Sequence, residues 1–225
     1  MTPPKSVYFV HGFASSFSGD WGRTGWADLL LDEGVQAVDV SLPGHNDPTA
    51  SDQVTDYVNI VEPIWRQLDL HTPITAVGFS AGAEVLLRVA CEHPEAFERL
   101  VLLGLGDRVL RPNNVERLVG ALGEDQEPDD VRLRVFWRLV ESNASPRAAL
   151  KAFLARDRQP LTASDLASVT CPVLSIVGSQ EQISQDELAD CLANVQILSV
   201  EGADHFGLTS SFETIDAVLR FLELA

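Results

Sequence analysis

Apolar residues fall in short runs along this chain, and each run gives way to polar turn residues and then to a helical spacing. The runs at 6–10, 35–40, 74–79, 99–105, 172–177 and 195–200 are rich in β-branched and aliphatic residues and read as strands. Most are apolar almost throughout, as Leu100-Val-Leu-Leu103 shows, and a strand without a polar face is one covered on both sides. Between the runs, apolar positions at helical spacing predict helices over about 24–33, 51–69, 82–93, 184–192 and 211–224. This alternation implies parallel strands joined by crossover helices. The expected fold is therefore α/β: a three-layer, doubly wound, mostly parallel sheet of about six strands. Ser184-Gln-Asp-Glu187 and Ser210-Ser-Phe-Glu213 have the form of capping boxes and mark the starts of the last two helices.

The rhythm breaks once. Between the fourth and fifth strands lie 66 residues, 106–171, where a crossover needs only about a dozen. Helical pieces are predicted there over about 113–122, 129–141 and 146–156, the last opened by Ser145 as cap and Pro146 at the first helical position. The expected organisation is a single domain over 1–225 with a helical lid, 107–169, inserted after the fourth strand. The stretch 42–48, rich in proline, glycine and asparagine, reads as a loop.

Composition narrows the function classes. The chain has 225 residues, 45% of them hydrophobic, which suits one sizeable core. With 33 acidic against 16 basic side chains the net charge is −17, which excludes tight binding to a phosphate backbone. No apolar run approaches the roughly 18 residues of a membrane span, and Met1-Thr-Pro-Pro-Lys5 leads into a strand without a signal-peptide core. A soluble, cytoplasmic protein is expected. Cys91, Cys171 and Cys191 are isolated and outside any CxxC spacing, so they read as reduced packing residues. No cluster has metal-ligand spacing, and Gly104-Leu-Gly106 has Val109 where a dinucleotide fingerprint needs its third glycine. The chain calls for no metal and no cofactor.

Gly78-Phe-Ser80-Ala-Gly82 stands where the third strand meets the following helix. There a serine tops a sharp turn and the helix aims its free amides at any oxyanion formed beside it. A serine hydroxyl needs a base. Of five histidines, His45, His71 and His93 have ordinary surface explanations, while His11 ends the first strand. His205 lies between the last strand and the last helix, at the same sheet edge as Ser80. A carboxylate to orient the base can come from Glu181, which has no structural task in the loop after the fifth strand, or from Asp107 just past the fourth. Asp204 adjoins His205 and is expected to face solvent. Oxyanion donors are expected from the amides of Ala81 and of Phe13, in His11-Gly-Phe13 after the first strand.

These residues, with Leu42-Pro-Gly-His45, Gly178 and Gly202-Ala-Asp-His205, make the chain resemble the α/β-hydrolase family across essentially its whole length. The order serine, acid, histidine is the family's. The resemblance implies Ser80 as nucleophile, His205 as base and acid, Glu181 as orienting acid, and the Phe13 and Ala81 amides as the oxyanion hole. Two departures stand out: a glutamate where the family more often has aspartate, and the absence of its two leading antiparallel strands. The implied activity is hydrolysis of a carboxylic ester or thioester of a small-molecule acyl substrate. The alternatives are C–C bond hydrolysis or acyl transfer with the same triad, or ligand binding without catalysis. Phe17, Trp21, Trp26, Phe136 and Trp137 point to an apolar substrate pocket, with Trp21 and Trp137 as its expected substrate contacts. Ten of the sixteen basic residues fall between Arg108 and Arg158, so an anionic carrier or carboxylated substrate docking on the lid is a narrower expectation.

Overall fold

The strands are β1 (Ser6–Val10), β2 (Gln36–Val40), β3 (Ile74–Phe79), β4 (Phe97–Leu103), β5 (Val173–Gly178) and β6 (Val195–Val200). They form one sheet in the order β2-β1-β3-β4-β5-β6, with every neighbouring pair parallel. The structure, a computed structural model, describes residues 4–68, 73–112 and 114–224. The expected α/β sheet is present, and three of its strands have the predicted limits. Side chains alternate across it with period two: Tyr8 and Val10 enter one buried cluster, Val7 and Phe9 the other. Leu100 and Leu102 against Val101 and Leu103 repeat the division on β4. That is why the runs are apolar throughout.

Helices cover both faces: α1 (Trp26–Asp32), α2 (Val61–Trp65), α3 (Ala81–Glu92), α8 (Asp186–Cys191) and α9 (Phe212–Phe221). Between β4 and β5 come α4 (Glu116–Ala121), α5 (Val131–Glu141), α6 (Arg147–Ala155) and α7 (Ala163–Ala167). From these, Val140, Leu150, Phe153 and Leu166 join the same cluster as Tyr8 and Val10. Among the described residues no helix is long and apolar enough to cross a membrane.

Several local expectations are corrected. The helix predicted over 51–69 is a 3-10 turn (Val54–Tyr57) followed by the short α2; Pro63 has no amide to donate and is tolerated only in a first turn, so a helix containing it must start just before it, as α2 does at Val61. The end of that range, like His71 and residue 113, lies outside the described residues. α9 is capped by Ser211, whose side chain accepts the Thr214 amide, and not by Ser210, whose hydroxyl donates to the Gly207 carbonyl. α8 starts after Gln185, a buried side chain held by the Ser175 hydroxyl and the Leu198 carbonyl, so the box at Ser184 does not form. Pro146 is the N-cap of α6 and not its first residue. α7 was not foreseen, although Thr162 and Asp165 form a capping box at its start.

The chain crosses from β2 back over β1 to β3, so strand order reverses between β1 and β3. In such sheets the crevice at the carboxyl ends beside that reversal is where ligands sit. His11–Phe13 follow β1 there, and Ser80 follows β3.

Candidate active site

Ser80 is held at φ 52°, ψ −109°, between β3 and α3, with its amide donating to the Leu103 carbonyl at 2.8 Å. A side chain in this region costs of order 1–3 kcal/mol and persists only where its surroundings impose it. Here they do. A β-carbon on Gly78 would lie 2.6 Å from the Ala83 Cα, and one on Gly82 would collide with the Val10 carbonyl oxygen. The two glycines let β3, the turn and α3 pack closely enough to lift the hydroxyl out of the sheet.

The Ser80 Oγ lies 2.9 Å from Nε2 of His205, which follows β6. Nδ1 of the same ring bonds to Oε2 of Glu181, in the loop after β5. A carboxylate only accepts, so Nδ1 carries the hydrogen and Nε2 is left free to accept from the serine. The other Glu181 oxygen accepts the Gly178 amide at 2.7 Å, and only 1% of this side chain is exposed. Both carboxylate oxygens are committed, and the ring they orient rests on Phe79 at 4.9 Å between centroids.

The rival acids are used elsewhere. Asp107 Oδ1 accepts the Leu188 amide at 2.8 Å in the first turn of α8, and exposed Asp204 accepts the Gly207 amide at 2.8 Å. His93 stacks on Trp65 at 3.7 Å. His11 and His45, one read as a turn and the other as surface, are both buried. His11 Nδ1 donates to the Gly12 carbonyl at 2.8 Å and Nε2 accepts the Leu42 amide at 3.3 Å. Burial holds its pKa below the ordinary histidine value, so it stays neutral as a tie between the loops after β1 and β2.

Ala81 follows the serine directly and Phe13 lies in the loop after the neighbouring strand β1, and among the described residues neither amide makes a hydrogen bond. The loop that carries Phe13 is fixed by Asp20, which accepts the Gly12 amide at 2.7 Å and the Ser15 hydroxyl at 2.6 Å. Nothing in the sequence around Asp20 signalled this; its partners are defined only once the chain folds back in a one-turn π-helix at Ser18–Gly22.

The aromatic residues divide. Phe136 of α5 lies 6.4 Å from Phe13 and 5.9 Å from Phe206, which itself lies 5.4 Å from the His205 ring. An aromatic bridge thus spans from the β1 loop to the β6 loop. Trp21 belongs instead to the core: it has no exposed surface and packs on Phe9 at 5.0 Å and Trp26 at 5.7 Å. Trp137 turns toward its own segment, donating to the Glu124 carbonyl at 3.3 Å with the Arg147 guanidinium 5.3 Å from its ring. A charged group was also missed: the Arg108 guanidinium reaches to 3.5 Å from the Ser80 Oγ. Among the described residues no group of three or more His, Cys, Asp or Glu could hold a metal ion.

Residues 7–218 match the family profile described as alpha/beta hydrolase family. The chain belongs to the alpha/beta hydrolase family. No curated protein sequence matches this hydrolase. Among solved structures it is similar to a carboxylesterase of the thaumarchaeon Nitrososphaera gargenis, with 17% identity, 98% of this chain and 90% of that one covered, and a TM-score of 0.72. It is similar to an esterase from Exiguobacterium antarcticum, with 17% identity, coverage of 99% and 93%, and a TM-score of 0.73. It is also similar to 2-hydroxy-6-oxo-6-phenylhexa-2,4-dienoate hydrolase from Rhodococcus sp. strain RHA1, with 16% identity, coverage of 99% and 91%, and a TM-score of 0.71. At these identities the likeness is one of fold.

Proposed function

We propose that this hydrolase cleaves a carboxylic ester or thioester through an acyl-enzyme on Ser80. The observation that carries the reading is the unbroken path from Glu181 through His205 to a strained Ser80, with His205 Nε2 at 2.9 Å from the Oγ. In this reading the Ser80 Oγ attacks the acyl carbon while His205 Nε2 takes its proton. The Glu181 carboxylate holds the tautomer and stabilises the imidazolium. Negative charge developing on the carbonyl oxygen is met by the Phe13 and Ala81 amides, which fixes the direction from which the ester must enter. His205 returns the proton to the departing alcohol or thiol. Water, deprotonated by the same Nε2, then releases the acid and restores the serine. The segment 107–169 acts as a lid, with Phe136 as the part of it that faces the acyl group. The substrate is a small molecule, and no cofactor takes part.

Two of the similar structures bear the words carboxylesterase and esterase, which supports ester chemistry; the third is a hydrolase whose dienoate substrate is carbonyl-bearing, so C–C cleavage by the same triad belongs in the test. Purified protein is expected to be labelled at Ser80 by a fluorophosphonate probe and to hydrolyse p-nitrophenyl and thioester substrates faster than a vinylogous diketone. Ser80→Ala is expected to lose labelling and about 10³-fold or more of the activity. Equal, negligible turnover by wild type and Ser80→Ala would end the ester reading.

A further inference from the structure

The mouth of this site holds a cation that the hydrolytic machinery does not use. Arg108 lies on the 3-10 turn Gly106–Leu110 that directly follows β4. One guanidinium nitrogen donates to the Gly104 carbonyl and approaches the Ser80 Oγ to 3.5 Å. A guanidinium has five N–H donors, and among the described residues those on the other two nitrogens make no hydrogen bond. No carboxylate among the described residues lies within ion-pair distance of it, whereas Arg111, Arg138, Arg147 and Arg158 of the same segment pair with Glu187, Glu127, Glu141 and Glu84.

The acids that could neutralise Arg108 are already engaged. Glu181 is bound to His205 and the Gly178 amide, and Glu84 lies within reach of Arg88, Arg156 and Arg158. Surrounding protein lowers the Arg108 pKa through desolvation, with Glu181 and then Glu84 opposing and Arg158 adding to the shift. Its side chain is nevertheless open to solvent. A solvent-facing guanidinium with free N–H donors and no carboxylate beside it exchanges bound water readily for a ligand oxyanion, which its planar fork fits.

We propose that Arg108 determines substrate choice, and that the acyl group carries an oxyanion substituent, carboxylate or phosphate in type, a few bonds from the scissile carbonyl. The proposal rests on the hydrolase reading for which bond is cut, and on Arg108 alone for what is recognised. An acyl carbon about 3 Å from the Oγ and an oxyanion about 2.8 Å from the guanidinium nitrogens are separated by roughly two to four bonds. A short dicarboxylic half-ester has that spacing. Glu181, which keeps His205 oriented, lies on the far side of the ring and does not compete for the anion.

The test compares p-nitrophenyl butyrate with the p-nitrophenyl esters of succinate and 3-phosphonopropionate. For wild type, kcat/KM is expected to favour one of the anionic esters over butyrate by about tenfold or more, and which one identifies the anion. In Arg108→Gln the anionic-to-neutral ratio is expected to fall about tenfold or more, mainly through KM, with partial recovery in Arg108→Lys. A ratio within about twofold of wild type in Arg108→Gln, or no anionic preference in wild type, overturns the proposal. Calorimetric titration of Ser80→Ala with monomethyl succinate and 3-phosphonopropionate, with and without Arg108→Gln, reads recognition independently of hydrolysis. Binding that weakens about tenfold in the double variant supports the proposal even if no ester is cleaved; equal affinities, or no binding by Ser80→Ala, overturn it.

Discussion

Asp107 and Leu188 are 81 positions apart in sequence, yet the Asp107 carboxylate caps the α8 amide of Leu188 at 2.8 Å. The Asp107 amide in turn donates to the Ser184 carbonyl at 2.7 Å. The two bonds fasten the turn after β4 to the start of α8 and take Asp107 out of contention for the His205 ring. Asp107→Ala is expected to lower stability by about 1 kcal/mol, as loss of a helix cap does, while kcat/KM stays within a few-fold of wild type. Urea denaturation alongside ester hydrolysis checks both; a loss of activity without a loss of stability would return Asp107 to the triad.

Glu181→Gln separates the two acids from the other side. The amide oxygen can still accept the Gly178 amide, so the loop keeps its shape, but a side-chain amide facing Nδ1 no longer enforces the N–H there. An expected fall in kcat of up to about 10⁴, with the fold intact by circular dichroism, follows from loss of the correct tautomer. Activity within a few-fold of wild type would mean that another group orients His205.

Gly82 bears the closest approach in the turn. Gly82→Ala would drive a methyl group into the Val10 carbonyl and to 2.6 Å from that of His11, both of them backbone atoms that cannot swing aside. The β1 loop and α3 must then separate, so Ser80 and the Phe13 amide move apart. A stability loss of about 2 kcal/mol or more is expected from overpacking, with fluorophosphonate labelling slowed; a wild-type melting temperature would contradict the close approach of Gly82 to the β1 loop.

Stability is expected to fall with acid through His45. Its Nδ1–H donates to the Pro43 carbonyl at 3.0 Å, while Nε2 is buried and has no partner among the described residues. Burial, and then the neighbouring His11, push its pKa from 6.5 down to about 3, with Arg156 adding to the shift and the Pro43 bond opposing it. A folded value below the unfolded one means that the contribution is complete above 6.5 and is lost as pH falls toward 3. From pH 7 to pH 5 this one ring is expected to cost about 2 kcal/mol. Denaturation midpoints at those pH values should fall less steeply in His45→Gln, and an unchanged slope would assign the acid sensitivity to other groups.

What the sequence determined by itself is the part governed by neighbours in the chain. The β1 and β3 limits were legible because a buried strand is apolar almost throughout, and the Ser80 turn was legible because its serine and glycines are neighbours in the chain, although what Gly82 must clear is the distant Val10 and His11 carbonyls. Proline should have split the 51–69 helix by the same local logic, and a capping box announced α7. Tertiary structure decided the rest. Glu181 and Asp107 both leave the carboxyl edge of the sheet, and only the path of each loop settles that one reaches His205 while the other caps α8. Trp21 and Phe136 are alike as aromatic residues near a loop or a helix, but one is sealed against Phe9 and Trp26 and the other bridges Phe13 and Phe206. Arg108 reaches Ser80 and, among the described residues, has no carboxylate beside it, whereas Arg111 and Arg158 are paired. Burial and partnership are properties of the packed molecule, since they depend on atoms that the chain brings together from positions tens of residues apart.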